Sequence, residues 1–380
     1  MSFQTVIHLL TGQLQVSIQA DTQTVEHYLG FAARNNPKRG FLFVNKVLGK
    51  HYPCKPSVML QSYQKLVNLL NPLLANSEKI VFMGMAETAT ALGLGIYQQW
   101  LLHNTSQSTI YCQTTRYFLA DYDYLPFEES HSHQTDFYLY FPVDSLLKNI
   151  FNHADTLVLI DDEISTGNTF ANLINAYRNS NPYLRQVIIV SLLNVATEEA
   201  RQRVADLTQI PIDWLSLLNG NYHFQSNPDF QFNPIVNSTI KSCKKQLLSV
   251  SYGRLGLNQL ITPPIQKLLA ITKHWKASDK ILVLGTGEFI YPAYLIGLFL
   301  EQQGYQVWVQ STTRSPILLG ETIKDIISFK DNYAENITNY LYNFNLNHYD
   351  QVLICHETPT NQELTDLLAL FNATSFLFSE

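Results

Sequence analysis

The stretch Leu157-Val158-Leu159-Ile160-Asp161-Asp162-Glu163-Ile164-Ser165-Thr166-Gly167-Asn168-Thr169 holds the residues best suited to chemistry. Its four leading apolar residues predict a strand buried on both faces, as in the middle of a parallel sheet. Asp161 and Asp162 then emerge at the carboxyl end, the edge where open α/β sheets bind ligands. A hydroxyl-rich turn containing Gly167 delivers the chain to a predicted helix from about Thr169. Free N–H groups at that helix start, with Ser165, Thr166, Asn168 and Thr169, suit a phosphate monoester. Gly167 permits close backbone approach. Ionised carboxylates only accept hydrogen bonds, so the acid pair suits the vicinal hydroxyls of a ribose. An acidic pair could by itself merely cap a helix. Strand, acid pair and hydroxyl–glycine turn in this order point instead to a ligand.

This string resembles the phosphoribosyl-pyrophosphate (PRPP) signature of type I phosphoribosyltransferases. The resemblance implies that Asp161 and Asp162 hold the ribose hydroxyls and that 165–169 wrap the 5′-phosphate. It also implies Mg²⁺, a hard cation held mainly through oxygens of the bound ligand, with Asp161 and Asp162 as candidate ligands. A nitrogen nucleophile would displace pyrophosphate from C1, and catalysis would rest on positioning and on charge stabilisation of the leaving group.

In that family the turn after the first core strand, Lys79–Gly84, receives the pyrophosphate. Here the turn reads Gly84-Met85-Ala86-Glu87-Thr88 and contains no Lys or Arg. Gly84, Ala86, Glu87 and Thr88 are its candidate contacts. Glu87 could act through Mg²⁺, pair with an arginine, or simply cap the following helix. Arg116, ending the next strand, is the best local cation for pyrophosphate. Downstream, Phe127-Glu128-Glu129-Ser130-His131-Ser132-His133 falls in the loop that closes over substrate in the family. Glu129, His131 and His133 are candidates for acid–base work or acceptor contact, the two histidines alternatively for a metal. The basic stretch Lys38, Arg39, Lys46, Lys50 and His51 precedes the core, where such enzymes build a hood over the acceptor.

The surrounding motifs narrow the resemblance. RNNPKRGFLFVNKVLGKH, GMAETAT, TTR, FEESHSH, STTRSP and NYLYN are similar to the orotate-phosphoribosyltransferase-like proteins of bacterial tellurium-resistance and stress operons. Those carry a carboxyl-terminal domain named for its Thr-Arg-Ser-Pro (TRSP) motif. The implied role is nucleotide-like metabolite synthesis or salvage with an unidentified base-like acceptor, in either direction. A non-catalytic sensor of PRPP or nucleotide is the alternative.

To position these residues the chain must build α/β architecture. Buried-type strands KIVFMG, TLVLI, VIIVSLL, ILVLG, VWVQS and QVLIC alternate with helical patterns, predicting two Rossmann-like domains with mainly parallel sheets. The expected division is a phosphoribosyltransferase domain with its hood over 1–224, an aperiodic linker over 225–250, and a TRSP domain over 251–380. The second domain reads as a degenerate copy of the first. SEKIVFMGMAE (77–87) aligns with SDKILVLGTGE (278–288), identical at five of eleven positions. Thr114-Thr115-Arg116 answers Thr312-Thr313-Arg314, and HADTLVLIDDE (153–163) answers HYDQVLICHE (348–357). In that alignment Cys355-His356 replaces the acid pair, so PRPP should not bind there in the same way. Glu288, Arg314, Ser315, His356 and Glu357 are expected to meet at the strand ends, forming a second site or a vestige.

The 380 residues carry a net charge of −6, 46% hydrophobic and 15% charged residues. That composition excludes disorder and coiled coil. Without a basic face, a broad grip on nucleic acid or on a membrane surface is not expected. The four cysteines form no CxxC, so no disulfide framework or zinc site is signalled. No signal-peptide pattern or spanning segment is seen, and a cytoplasmic location is expected. A homodimer is one open option.

Overall fold

The computed structural model describes residues 2–104, 106–127, 137–232, 248 and 252–378. Along the chain the strands are β1 (Phe3–Leu9), β2 (Gly12–Ile18), β3 (Leu29–Ala33), β4 (Phe41–Asn45), β5 (Lys79–Gly84), β6 (Ser108–Gln113), β7 (Tyr124–Phe127), β8 (Phe137–Tyr140), β9 (Thr156–Ile164), β10 (Gln186–Asn194) and β11 (Ile212–Ser226). The second half adds β12 (Lys280–Gly285), β13 (Gln306–Ser311), β14 (Ile326–Lys330), β15 (Thr338–Tyr342), β16 (Gln351–His356) and β17 (Thr374–Leu377). The helices are α1 (Thr22–Tyr28), α2 (Pro56–Leu70), α3 (Thr90–Leu101), α4 (Ser145–His153), α5 (Asn168–Ser180), α6 (Glu198–Thr208), α7 (Ile265–Thr272), α8 (Tyr291–Gln302) and α9 (Gln362–Leu370).

Seven strands form the first sheet in the order β1-β2-β11-β10-β9-β5-β6. From β11 to β6 the pairs are parallel, and β2 and β1 join antiparallel. Residues 157–160 are wholly buried, as expected for a central parallel strand covered by helices on both faces. The second sheet, β13-β12-β16-β17, is parallel throughout. The fold is thus mixed α/β with a mainly parallel central sheet and a second parallel sheet.

The internal repeat extends to single hydrogen bonds. Thr114 N donates to Gly84 O, and Thr312 N to Gly285 O, both at 3.0 Å. Thr114 Oγ1 accepts from Ala86 N, and Thr312 Oγ1 from Gly287 N, both at 2.8 Å. Thr115 bridges to Tyr138 as Thr313 does to Tyr340. Tyr140 and Tyr342 offer their hydroxyl oxygens to the N–H groups of Leu119 and Ile317.

Each copy caps the other's edge strand. Cys54, from the amino-terminal half, pairs antiparallel with Val309 of β13, while Leu257, from the second half, pairs with Tyr111 of β6. Both edges thereby gain backbone partners that would otherwise have to be water or another chain. Tyr63 of α2 meets Tyr294 of α8 edge-on at 5.2 Å, and one apolar core runs from the first sheet to the second.

Candidate active site

The site begins at the carboxyl end of β9. Asp161 and Asp162 are half-buried there, and Asp162 N donates to Asp161 Oδ1 at 2.9 Å. Above them the β3–β4 hairpin supplies Asn45, whose Nδ2 donates to Asp162 Oδ2 at 2.9 Å. Arg39, from the loop of that hairpin, pairs with Glu163 and lays its guanidinium 4.6 Å from the centre of the Phe41 ring. Burial raises the pKa of Asp162, against hydrogen bonds from Asp161 and Asn45. Burial raises Glu163 as well, with Arg39 opposing. Asn45 was not signalled by type or motif; a lone amide closing the apolar run FLFV was the only clue.

Gly167 follows with φ of +72°, a left-handed conformation that only glycine adopts without cost. It ends the turn and caps α5, and a Cβ there would lie 2.8 Å from Val204 Cγ2. Ser165, Thr166, Asn168 and Thr169 surround the helix start half-buried, with solvent access.

At the end of β5, Met85 N donates to Ile160 O, which joins the next turn to the acid-pair strand. A Cβ on Gly84 would lie 2.3 Å from the Tyr111 hydroxyl, so packing alone demands glycine there. Glu87 does not cap α3. Its carboxylate lies 2.7 Å from Lys50 Nζ and 3.6 Å from Arg314 Nε. Burial works against its ionisation, yet Lys50, Arg314 and Arg116 hold its carboxyl down at about 2. Lys50 is itself lowered, burial outweighing Glu87. The attraction between the two charges is mutual; Lys50 differs in that its burial costs the ammonium more than the pairing returns.

The other sequence candidates fall in different places. Lys50 also donates to the carbonyls of Gly287 and Thr312, so it stands between the two copies, not under the hairpin. His51 is buried beside it, its imidazole pushed down to about 3 by burial and by Lys50. Lys46 turns to the carbonyl of Glu26. Half-buried Thr88 stays in the β5 turn. Glu129, His131 and His133 lie outside the described residues.

Of the carboxyl-terminal candidates, Glu288 and Glu357 meet on a shared arginine, Arg254, while His356 and Ser315 are engaged elsewhere. Gly84 stands opposite Ile160, and Gly285 opposite Cys355. His356 and Glu357, not Cys355 and His356, therefore occupy the places of Asp161 and Asp162; the sequence alignment was one residue out because its gap fell inside the strand. Glu357 is clamped by both terminal nitrogens of Arg254, at 2.7 and 2.9 Å, and by the Tyr333 hydroxyl at 3.1 Å. The two ring nitrogens of His356 lie 2.8 Å from Thr358 O and Ser375 Oγ. Glu288 reaches into the first copy, accepting from Thr115 Oγ1 at 2.6 Å and Arg116 N at 2.8 Å. Arg314 faces Glu87 and Glu335, and Ser315 hydrogen-bonds to Thr313 and Tyr342. Arg254 was missed by sequence reasoning, since a single basic residue in a Gly-Arg-Leu-Gly turn carries no motif.

A family model described as phosphoribosyl transferase matches residues 28–221, and one described as the TRSP domain carboxyl-terminal to it matches residues 251–371. The chain belongs to the phosphoribosyl transferase family. Phosphoribosyltransferases are pentosyltransferases, so this chain is an enzyme of that class. Among solved structures it is similar to adenine phosphoribosyl transferase of Trypanosoma brucei, in complex with AMP, pyrophosphate and ribose-5-phosphate. That match has 12% identity and a TM-score of 0.37 over 56% of this chain and 86% of the other. Adenine phosphoribosyltransferase of Rhodothermus marinus matches at 16% identity and TM-score 0.34, over 51% and 97%. Orotate phosphoribosyltransferase of Francisella tularensis matches at 14% and 0.31, over 51% and 83%. No curated protein matches. Among the described residues no helix is long and apolar enough to cross a membrane.

Mg²⁺ fits the acid pair on its chemistry. Among the described residues no three His, Cys, Asp or Glu side chains are grouped to hold a metal. Mg²⁺ commonly takes only one or two carboxylates and completes its shell with water and phosphate oxygens. Half-buried Asp161 and Asp162 offer that number.

Proposed function

We propose that this phosphoribosyltransferase uses PRPP, transferring phosphoribose to or from a nitrogen of a base-like acceptor. One observation carries the reading: the half-buried acid pair is followed, after residues 163–166, by the left-handed Gly167 and the open start of α5. Ribose hydroxyls on Asp161 and Asp162 then leave the 5′-phosphate beside the N–H groups of 167–169, with Ser165 and Thr166 as hydroxyl donors. Pyrophosphate extends toward the turn of Gly84, Ala86, Glu87 and Thr88 and toward Arg116. As the C1–oxygen bond to pyrophosphate breaks, the acceptor nitrogen bonds to C1 and loses its proton, with Glu129, His131 and His133 as candidate bases. Asp161 and Asp162 would help hold Mg²⁺, which would supply charge neutralisation for the departing pyrophosphate.

The domain division 1–224, 225–250 and 251–380 belongs to the same reading, as do the cytoplasmic location and a role in nucleotide-like metabolism of a stress operon. The Glu87 cluster favours a second reading, a sensor that binds PRPP without turnover, because a carboxylate already occupies the pyrophosphate turn. Titration calorimetry with PRPP and Mg²⁺ tests the common core: the wild type binds, and Asp161→Asn binds at least about tenfold more weakly. Absence of PRPP binding by the folded wild type would falsify the reading. Pyrophosphate release with a panel of bases separates enzyme from sensor.

A further inference from the structure

The two copies present equivalent turn carboxylates, Glu87 after β5 and Glu288 after β12, yet their surroundings differ. Glu288 is sealed: its side chain is 1% exposed, among Arg254, Thr115 and the backbone of Arg116. Glu87 is 9% exposed, and the Arg314 side chain beside it is 24% exposed. Lys50, on the inner side of Glu87, is 1% exposed. Of the two side chains paired with Glu87, only that arginine can be reached by a ligand from solvent.

Arg314 comes from the second copy and stands in the Thr-Arg-Ser-Pro segment. The first copy's turn has no cation of its own. Arg314 holds Glu87 through Nε and Glu335 through a terminal nitrogen, at 3.6 and 3.0 Å, and rests over the Tyr117 ring at 5.7 Å. The longer contact is the looser one, and it is the one directed at the turn. A guanidinium so held matches phosphate oxygens with its planar fork. Meanwhile Glu288 fixes the turn that carries Arg116, from the opposite side of the same interface.

We infer that the carboxyl-terminal copy completes the first site, with Arg314 binding the pyrophosphate of PRPP across the interface. This rests on the PRPP reading above. Glu87 serves as a resident anion that keeps Lys50 and Arg314 in place until the diphosphate arrives. Arg314 then exchanges part of its contact with Glu87 for phosphate oxygens, while Lys50 stays paired and keeps Glu87 ionised.

Calorimetry on the full chain with Mg²⁺ and three probes tests this: PRPP, inorganic pyrophosphate and ribose-5-phosphate. Arg314→Gln should weaken PRPP and pyrophosphate about tenfold or more, the loss of one charge-assisted hydrogen bond, with ribose-5-phosphate affinity unchanged. Equal loss for all three ligands, or no loss for any, overturns the inference. If that variant does not fold, Glu335→Gln decides. Removing the outer carboxylate frees Arg314, so PRPP and pyrophosphate should both bind more tightly; unchanged or weaker binding overturns it. A wild type that binds pyrophosphate and ribose-5-phosphate but not PRPP breaks the PRPP reading, and this inference falls with it.

Discussion

Glu87 shows how little a residue's type says about its work. The sequence allowed a cap, a metal-linked ligand or an arginine partner, and the structure gives it Lys50 and Arg314. Neither cation is near it in sequence, so no local pattern could have chosen. His51 is similar: a basic residue by composition, it is held neutral, pushed down to about 3 by burial and Lys50, with Glu87 and Arg34 also facing it. The unfolded imidazole titrates near 6.5. As pH falls through that value the unfolded chain takes up a proton that the folded chain refuses until about 3, so stability is lost on acidification. Glu87 adds its own loss between about 4.5 and 2, as its favoured ionised state is discharged. Urea unfolding at pH 7 and pH 5 should therefore show a drop in wild-type stability. The slope approaches about 1.4 kcal/mol per pH unit for one proton. His51→Gln should reduce that drop, His356, also lowered by burial, supplying a further part; an unchanged pH dependence would count against a neutral buried imidazole.

At the scale of elements, β9 and its turn were readable because everything they need is local. An apolar run sets the strand, the acid pair marks its end, and Gly167 supplies the positive φ. Gly167→Ala should cost about 1–2 kcal/mol in backbone strain, raised further by the close contact with Val204. A lowered Tm together with weakened ribose-5-phosphate binding is the expected outcome; an unchanged melting temperature would contradict the left-handed turn. Other elements were only half-readable. The strand near IDWLSLL does not stop there but runs to Ser226, since Gly220–Ser226 leave β10 and pair antiparallel with β2. The alternation of Tyr222 and Phe224 with polar neighbours was a strand signal, masked by the fading of the buried run before it. Over the β3–β4 hairpin the sequence showed only a basic, glycine- and proline-punctuated stretch, without the pairing. That the hairpin's last residue, Asn45, reaches Asp162 was not legible, because the contact spans 117 positions.

For the molecule as a whole, the exchange of edge partners is decisive. Residues 1–232 produced alone would leave β6 without Leu257 and Gly253, whose backbone groups satisfy Tyr111 and Gln113. Lys50 would also lose the carbonyls of Gly287 and Thr312. Such a fragment should aggregate or melt well below the full chain in size-exclusion and thermal unfolding. A monomeric fragment with an unchanged Tm would show that the copies are independent. The full chain should unfold in one transition, since one apolar core spans both sheets.

The sequence by itself determined the α/β class, the strand with its acid pair and glycine turn, and the presence of a repeat, because each is written in contiguous residues. It could not determine the register of that repeat: whether Cys355 or His356 stands at the place of Asp161 depends on which residue lies opposite Gly285 in the sheet. Nor could it say that Glu288 and Arg314 face the first copy. Contacts between residues 172 positions apart, or as far apart as Glu87 and Arg314, are chosen by how two sheets pack, and packing is the one property that no local spacing encodes.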